Sequence, residues 1–231
     1  MKNKIGLVLS HLHVRQHEMF RFDMLEYVIN FFKNRSDFFI ILSGHGMEPP
    51  PNITKIVDKI YWEKEIDNDE IGRGHPKFCI ESFKILNDLG IEKAIKLRYC
   101  DLILEIDDLL SLLKDNDLIL SEQTSFIKRM IGDLFMAGST KKLLDMWTEK
   151  QWDYSKSGLY NLYDNMESIS CRHGLDIYPY LKQNCLFLSP QNIKWVTLEG
   201  NWNKGSKQLI SEMSENHLWG AIAGYSYYGG F

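Results

Sequence analysis

Short apolar runs alternate with stretches of helical periodicity through the first hundred residues. Lys4 to Ser10 is a brief apolar run, the mark of a strand covered on both faces. From Phe20 to Lys33 the positions Met24, Leu25, Val28, Ile29 and Phe32 recur at helical spacing. Asp37 to Ser43 (DFFIILS) predicts a second buried strand, closed by Gly44-His45-Gly46. Glu48-Pro49-Pro50-Pro51 predicts a loop, because proline suits neither a helix interior nor a central strand. Val57 to Trp62 predicts a third strand, and Gly72-Arg73-Gly74-His75-Pro76 a further break. Lys77 to Leu89 has helical spacing and is stopped by Gly90. Ala94 to Tyr99 predicts the fourth strand.

Buried strands alternating with helices predict an α/β fold with a mainly parallel sheet. The later elements continue it. Asp107 to Leu113 predicts a short helix and Asp117 to Leu120 a fifth strand. Leu134 to Ala137 predicts a sixth, followed by a helix over Lys141 to Trp147 that Ser139 or Thr140 can cap. Beyond residue 150 the pattern loosens. Asp164 to Gly174 predicts a helix, and Asn184 to Leu188 and Lys194 to Leu198 two short strands. The tail from Gly200, rich in Gly, Ser and aromatic residues, predicts no element. There is no internal repeat and no low-complexity linker.

Composition narrows the class. The 231 residues fit a single domain, 44% hydrophobic and 25% charged, which is enough to bury a full core. With 27 Lys+Arg against 31 Asp+Glu the formal charge is −4, which argues against a general nucleic-acid binder. No apolar stretch reaches the roughly 20 residues that span a bilayer. Met1-Lys2-Asn3-Lys4 leads only into the short run Ile5 to Leu9, with no small-residue cleavage site, so no secretory signal is expected. Cys79, Cys100, Cys171 and Cys185 form no CxxC pair and are expected to be reduced thiols in a cytoplasmic protein.

In open α/β sheets ligands bind beyond the carboxyl ends of the strands. Following each strand from the first to the fourth come Ser10, His11, His13, Arg15 and His17, then Ser43 to Gly46, then Arg73, Gly74, His75 and Lys77, then Arg98, Tyr99 and Asp101. Glu122 and Gln123 follow the fifth. A concave edge carrying Arg15, Arg73, Lys77 and Arg98 suits a phosphorylated ligand. In the plainer reading these are only polar loop residues. Two further signals compete. His11-Leu12-His13 on an extended segment points both imidazoles to one side, as a metal site requires. That pattern also occurs in barrel-type metal-dependent hydrolases, where His45, Asp101, His173 and Asp176 would supply later ligands, although six strands fall short of the eight a barrel needs. The run Ala94 to Asp101 brings a buried strand out into a cation and then a carboxylate, with Asp101 either a metal ligand or a turn residue.

Four segments carry a resemblance to a family: SGHG at 43–46, GRGHPKF at 72–78, KLRYCD at 96–101 and IGDLFMAGSTKKLLDMW at 131–147. Together they resemble glycosyltransferases of the GT-A fold, in particular the small bacterial and viral group that includes WavE-type lipopolysaccharide-synthesis proteins and chlorella-virus sugar transferases. The likeness covers roughly residues 4–200. It implies a three-layer sandwich around a mainly parallel sheet, with a nucleotide-sugar-binding half over 1–105 and an acceptor-side half over 106–231. It implies a hexosyltransferase-type enzyme of glycan biosynthesis. Such an enzyme moves a sugar from a UDP- or GDP-linked donor to a glycan hydroxyl, with no nucleic-acid partner and room for peripheral membrane contact.

The resemblance also assigns roles. Ser10, His11, Arg15, His45, Arg73, His75, Lys77 and Arg98 would hold the nucleotide sugar. Asp101 would hold Mn2+ or Mg2+, with His173 as second ligand. The chain departs from the family at this point, since no DxD is present and Cys100 stands where a first carboxylate would be. An inverting transfer needs a general base for the acceptor hydroxyl, for which Glu167 is the first choice, Asp133 the second and Glu122 in reserve. Trp147 and Trp152 would stack on a sugar face or belong to the core. A hydrolase built on His11 and His13, and a binding domain that has lost catalysis at Cys100, are the competing readings.

Overall fold

The computed structural model describes residues 4–14, 20–64, 71–124, 129–148, 185–188 and 195–198. In chain order the elements are β1 (Ile5–Val14), α1 (Phe20–Lys33), β2 (Phe38–Gly46), α2 (Pro51–Thr54), β3 (Lys59–Glu63), α3 (Ile71–Asp88), β4 (Lys93–Arg98) and β5 (Asp101–Ile103). They continue with α4 (Ile106–Asp115), β6 (Leu118–Thr124), β7 (Arg129–Ser139), α5 (Thr140–Thr148), β8 (Cys185–Leu188) and β9 (Trp195–Thr197). Seven strands form one sheet in the order β3-β2-β1-β4-β7-β6-β8, while β5 and β9 pair separately. Strands β3, β2, β1 and β4 are mutually parallel. β7 runs antiparallel to both β4 and β6, and β8 is parallel to β6.

Helices cover both faces, giving three layers. Leu7 and Leu9 of β1, Ile40 and Leu42 of β2, Ile95 and Leu97 of β4, and Phe135 and Ala137 of β7 pack in one cluster with α1, α2 and α4. The intervening positions Val8, Phe39, Ile41, Ala94 and Met136 pack in a second cluster with Cys79, Phe83 and Leu86 of α3 and Leu143, Met146 and Trp147 of α5. Because both faces are buried, the two-residue period of the strands is hidden, and they read in sequence as unbroken apolar runs. The expected α/β class with a mainly parallel sheet is therefore what the chain adopts. Among the described residues, no helix is long and apolar enough to cross a membrane.

Three expectations are corrected. The strands run further than their apolar cores: β1 continues to Val14 after an irregularity between Leu9 and Leu12, and β2 to Gly46. His11, His13 and His45 therefore lie within strands and not after them. Pro51 does not keep its segment out of helix. It starts the single turn α2, where the missing N–H is one that a helix leaves unbonded anyway. The GRGHP segment is no break, since α3 begins at Ile71 and runs through it. The buried face formed by Phe78, Cys79, Ser82, Phe83 and Leu86 fixes that helix. Its packing outweighs the roughly 1 and 3 kcal/mol that glycine and proline cost inside a helix.

The glycines of SGHG serve the approach of β2 to the outer part of β1. A Cβ on Gly44 would lie 2.2 Å from the Leu12 carbonyl oxygen and 2.7 Å from the Trp62 ring. Gly46 has φ +97°, and a Cβ there would lie 2.3 Å from the Val14 carbonyl oxygen. Backbone cannot give way as a flexible side chain can. We expect Gly44→Ala to destabilise the protein by about 1–3 kcal/mol in urea denaturation, the usual cost of overpacking. Gly6→Ala should cost less, because its Cβ would meet the side-chain methyls of Leu86.

Candidate functional site

Strand order reverses between β1 and β4. From β1 the chain builds outward through β2 to β3, then returns to add β4 on the other side of β1. The crevice outside the carboxyl ends of such a pair is where open α/β sheets hold their ligands. The β1–β4 register ends at Ser10 opposite Arg98, the last residue of β4. The chain then turns at Tyr99 and Cys100, with the Tyr99 N–H donating to the Ser10 carbonyl at 3.3 Å.

Asp101 returns directly onto Arg98 from that turn. Arg98 Nε donates to Oδ2 and Nη2 to Oδ1, both at 2.9 Å. The pair is a two-pronged fork, the strongest form of guanidinium–carboxylate contact. Arg98 is 6% exposed and Asp101 fully buried. Two charges removed from water at a strand end survive only as a pair. Lys96, two residues earlier on the same strand, is fully buried as well. On the far side of Asp101, β5 pairs with β9 in the register Asp101 to Thr197, and the Leu198 N–H donates to the Cys100 carbonyl at 2.8 Å. The late segment 195–198 thus meets the switch point.

The part of α3 that starts at Phe78 roofs the neighbouring strand ends. Ser10 is fully buried and donates its hydroxyl to the Leu97 carbonyl at 3.4 Å, with Cys79 Sγ 4.0 Å from its Oγ. His45 is buried and stacks on Phe78 at 5.6 Å and 16° between planes. Ser43 Oγ and Ser82 Oγ are buried hydroxyls that find no hydrogen-bond partner among the described residues. The same face that is apolar lower down is thus polar at its carboxyl end.

A second network lies at the rim. Lys77 at the start of the buried part of α3 pairs with Glu63 at the end of β3, and Tyr61 donates to the same Glu63 Oε1 at 3.0 Å. Burial works to raise the Glu63 carboxyl. The hydrogen bonds from Lys77 and Tyr61, and the fields of Lys77 and His45, outweigh it and hold the group below the usual carboxylate range. The bond to Glu63 correspondingly raises the Lys77 ammonium. Neither Glu63 nor Tyr61 stands out in the sequence, because a polar residue at a strand end is ordinary there.

The predicted site residues divide accordingly. The structure brings Ser10, His45, Arg98 and Asp101 together at the sheet edge, with Lys77 on the rim. The backbone of His11 lies in β1, that of Arg73 and His75 in the first two turns of α3, and that of Asp133 within β7 and not before it. Glu122 likewise lies within β6. Arg15, Glu167, His173 and Trp152 lie outside the described residues. Trp147 is buried in the core, 3% exposed, and so takes the core role. The barrel required by a His11/His13 hydrolase is not what the described residues form, since among them the sheet is open, with β3 and β8 at its edges. Cys79, Cys100 and Cys185 are thiols. Burial pushes the Cys185 thiol up to about 12, which keeps it protonated and unreactive.

Both oxygens of Asp101, the residue to which the resemblance assigns a divalent cation, accept from the Arg98 guanidinium. Among the described residues no group of three His, Cys, Asp or Glu is placed to hold a metal.

No protein-family model and no curated protein matches the chain. Solved structures do show similarity. A candidate nucleotide-diphospho-sugar transferase from Desulfovibrio desulfuricans G20 is 9% identical, with 82% of this chain and 80% of that one covered and a TM-score of 0.42. A glycosyltransferase involved in glycosylation of the major capsid of PBCV-1 is 7% identical, covering 81% and 83%, with a TM-score of 0.45. A candidate glucose-1-phosphate thymidylyltransferase from Bacillus anthracis, in complex with a sucrose, is 9% identical, covering 90% and 95%, with a TM-score of 0.47. The first two are of the class that the four sequence segments resemble. All three TM-scores lie below 0.5, so the fold and the site rest on the chain's own sheet and its edge.

The energetics of the fork are open to measurement. Arg98→Met should cost about 3–5 kcal/mol in urea denaturation, because it strands Asp101 as a buried charge. Arg98→Met with Asp101→Leu should recover much of that loss, since replacing both charges by apolar groups is far cheaper than removing one. A double variant no more stable than Arg98→Met would show that the two residues are not coupled.

Proposed function

We propose that the protein is a glycosyltransferase that takes a sugar from a nucleoside-diphosphate donor, UDP- or GDP-linked, and passes it to a glycan hydroxyl. The observation that carries this reading is the buried Arg98–Asp101 fork at the point where strand order reverses. A ligand expected in that crevice lies next to an oriented guanidinium, which suits phosphate oxygens. The resemblance of the segments at 43–46, 72–78, 96–101 and 131–147 supplies the reaction class.

In this reading the diphosphate lies outside the ends of β1 and β4, and the nucleoside lies toward β2 and the start of α3. His45 and Ser10 are buried under α3 and shape the floor without facing solvent. The departing nucleoside diphosphate gains negative charge in the transition state, and preorganised donors at the strand edge offset it. The acceptor hydroxyl loses its proton to a carboxylate of the later half, Glu167 in first place and Asp133 in second.

Two measurements test the reading. In a thermal-shift panel of nucleotide sugars, a donor at about 100 times its Kd should add about 2.7 kcal/mol of stability. A panel without any shift removes the donor class. With the donor known, Glu167→Gln should lower turnover by roughly 10²–10⁴-fold, the usual worth of general acid–base catalysis, and leave donor binding unchanged. If Asp133→Asn shows that loss instead, the base is Asp133. Donor binding with no turnover toward any acceptor would leave a binding domain and not an enzyme.

A further inference from the structure

We infer that Ser43 of β2 and Ser82 of α3 hold one buried water molecule between them, a binding site inside the fold beneath the carboxyl edge of the sheet. Both residues are fully buried, and neither hydroxyl finds a hydrogen-bond partner among the described residues. A serine hydroxyl brings one donor and two acceptor lone pairs. Left unmet in a dry interior, such a group costs more than its removal would. Folded proteins meet buried hydroxyls with protein groups or with ordered water.

The two hydroxyls come to one place. Along β2 the alternate residues Phe39 and Ile41 pack in the cluster that contains α3. Ser43 faces the same way, as does His45 in its stack on Phe78. Along α3 the buried face is made by Phe78, Cys79, Phe83 and Leu86, with Ser82 within it. The helix runs against the strands, since Cys79 lies beside Ser10 whereas a Cβ on Gly6 would meet Leu86. From the Phe78–His45 stack, four residues along α3 advance about 6 Å. Two residues back along β2 cover about 6.6 Å in the same direction. Both steps end at one level, with Ser82 against Ser43.

The groups there suit water. Leu9 pairs with Leu42, and the residues that follow them are Ser10 and Ser43, so a third hydroxyl stands on the neighbouring strand. Ser10 donates to the Leu97 carbonyl at 3.4 Å, and its oxygen can still accept. A buried water makes about three hydrogen bonds, the number that Ser43, Ser82 and Ser10 can supply. A calcium or magnesium ion would ask for six or more oxygen ligands. A water in this position ties α3 to β2 between the apolar packing lower down and the His45–Phe78 stack above. The site is independent of what the crevice binds.

The test joins a crystal structure of the whole wild-type protein to a double-mutant cycle in urea denaturation. The structure should show a water within about 2.5–3.0 Å of both Oγ atoms. Ser43→Ala should lower the urea midpoint of the wild type, because the water and Ser82 each lose a partner. In the Ser82→Ala background the same change should lower it much less or raise it, because the shared guest is already lost. The cycle cancels what alanine does by itself for helix and strand. Equal shifts in both backgrounds would overturn the inference. So would a structure in which the two hydroxyls bond each other directly, or in which no water touches both. The wild-type structure carries the test where a variant does not fold.

Discussion

The carboxyl edge of the sheet depends on one ion pair. At the end of β4 the chain gives up an apolar interior for charges, and Arg98 and Asp101 offset one another through two hydrogen bonds. Forming the fork requires Asp101 to come back over Arg98 within three residues, which sets the Tyr99–Cys100 turn. That turn aims β5 away from the main sheet and toward β9, where Leu198 bonds to the Cys100 carbonyl. The pair therefore joins the segment at 195–198 to the strand edge as well as closing β4. An apolar substitute for both residues would pack, but it would remove the oriented guanidinium from the end of β4.

Helix α3 shows how stability and site share one surface. Its lower part, through Phe83 and Leu86, packs on the apolar positions Val8, Ile41 and Ala94. Its upper part, through Phe78, Cys79 and Ser82, covers Ser10, Ser43 and His45. The helix runs antiparallel to the strands it covers, so one rigid element is anchored by dispersion and apolar burial at one end and holds a polar layer at the other. Polar groups under a helix are costly unless bonded. Ser10 meets that demand through the Leu97 carbonyl, whereas Ser43 and Ser82 do not within the described residues.

Most of the fold was legible because a sheet buried on both faces leaves long apolar runs that only a strand of that kind produces. The sequence pattern placed α1 at its observed bounds, and even the short late strands β8 and β9 lay where the runs at 184–188 and 194–198 predicted them. What it missed followed from tertiary packing. The GRGHP segment carries two glycines and a proline, and nothing local to it says helix. The buried face from Phe78 onward decides the matter from outside. The ends of β1 and β2 were cut short because Ser10, His11, Ser43 and His45 are polar, and a polar strand end under a roof looks in sequence like a loop. The antiparallel sense of β7 is set by its pairing with β4 and β6, which no local pattern encodes. For the site, Arg98 and Asp101 were legible as residues but not as a pair. Spacing alone cannot tell a carboxylate that turns outward to a metal from one that turns back on its own arginine.

The cations expected on the edge differ in what their surroundings allow them to do. Lys77 is about half exposed and joined to Glu63, so its charge is largely met and screened by water. Arg98 sits at low exposure with its plane set by Asp101. A charge held in a low-dielectric, oriented site acts on a developing negative charge more strongly than an exposed one, and no reorganisation is needed at the moment of transfer. A transferase that must stabilise a departing diphosphate gains most from the cation that is already in place. Under the proposed transferase reading, that criterion favours the end of β4, while the Lys77–Glu63 pair on the rim ties α3 to β3.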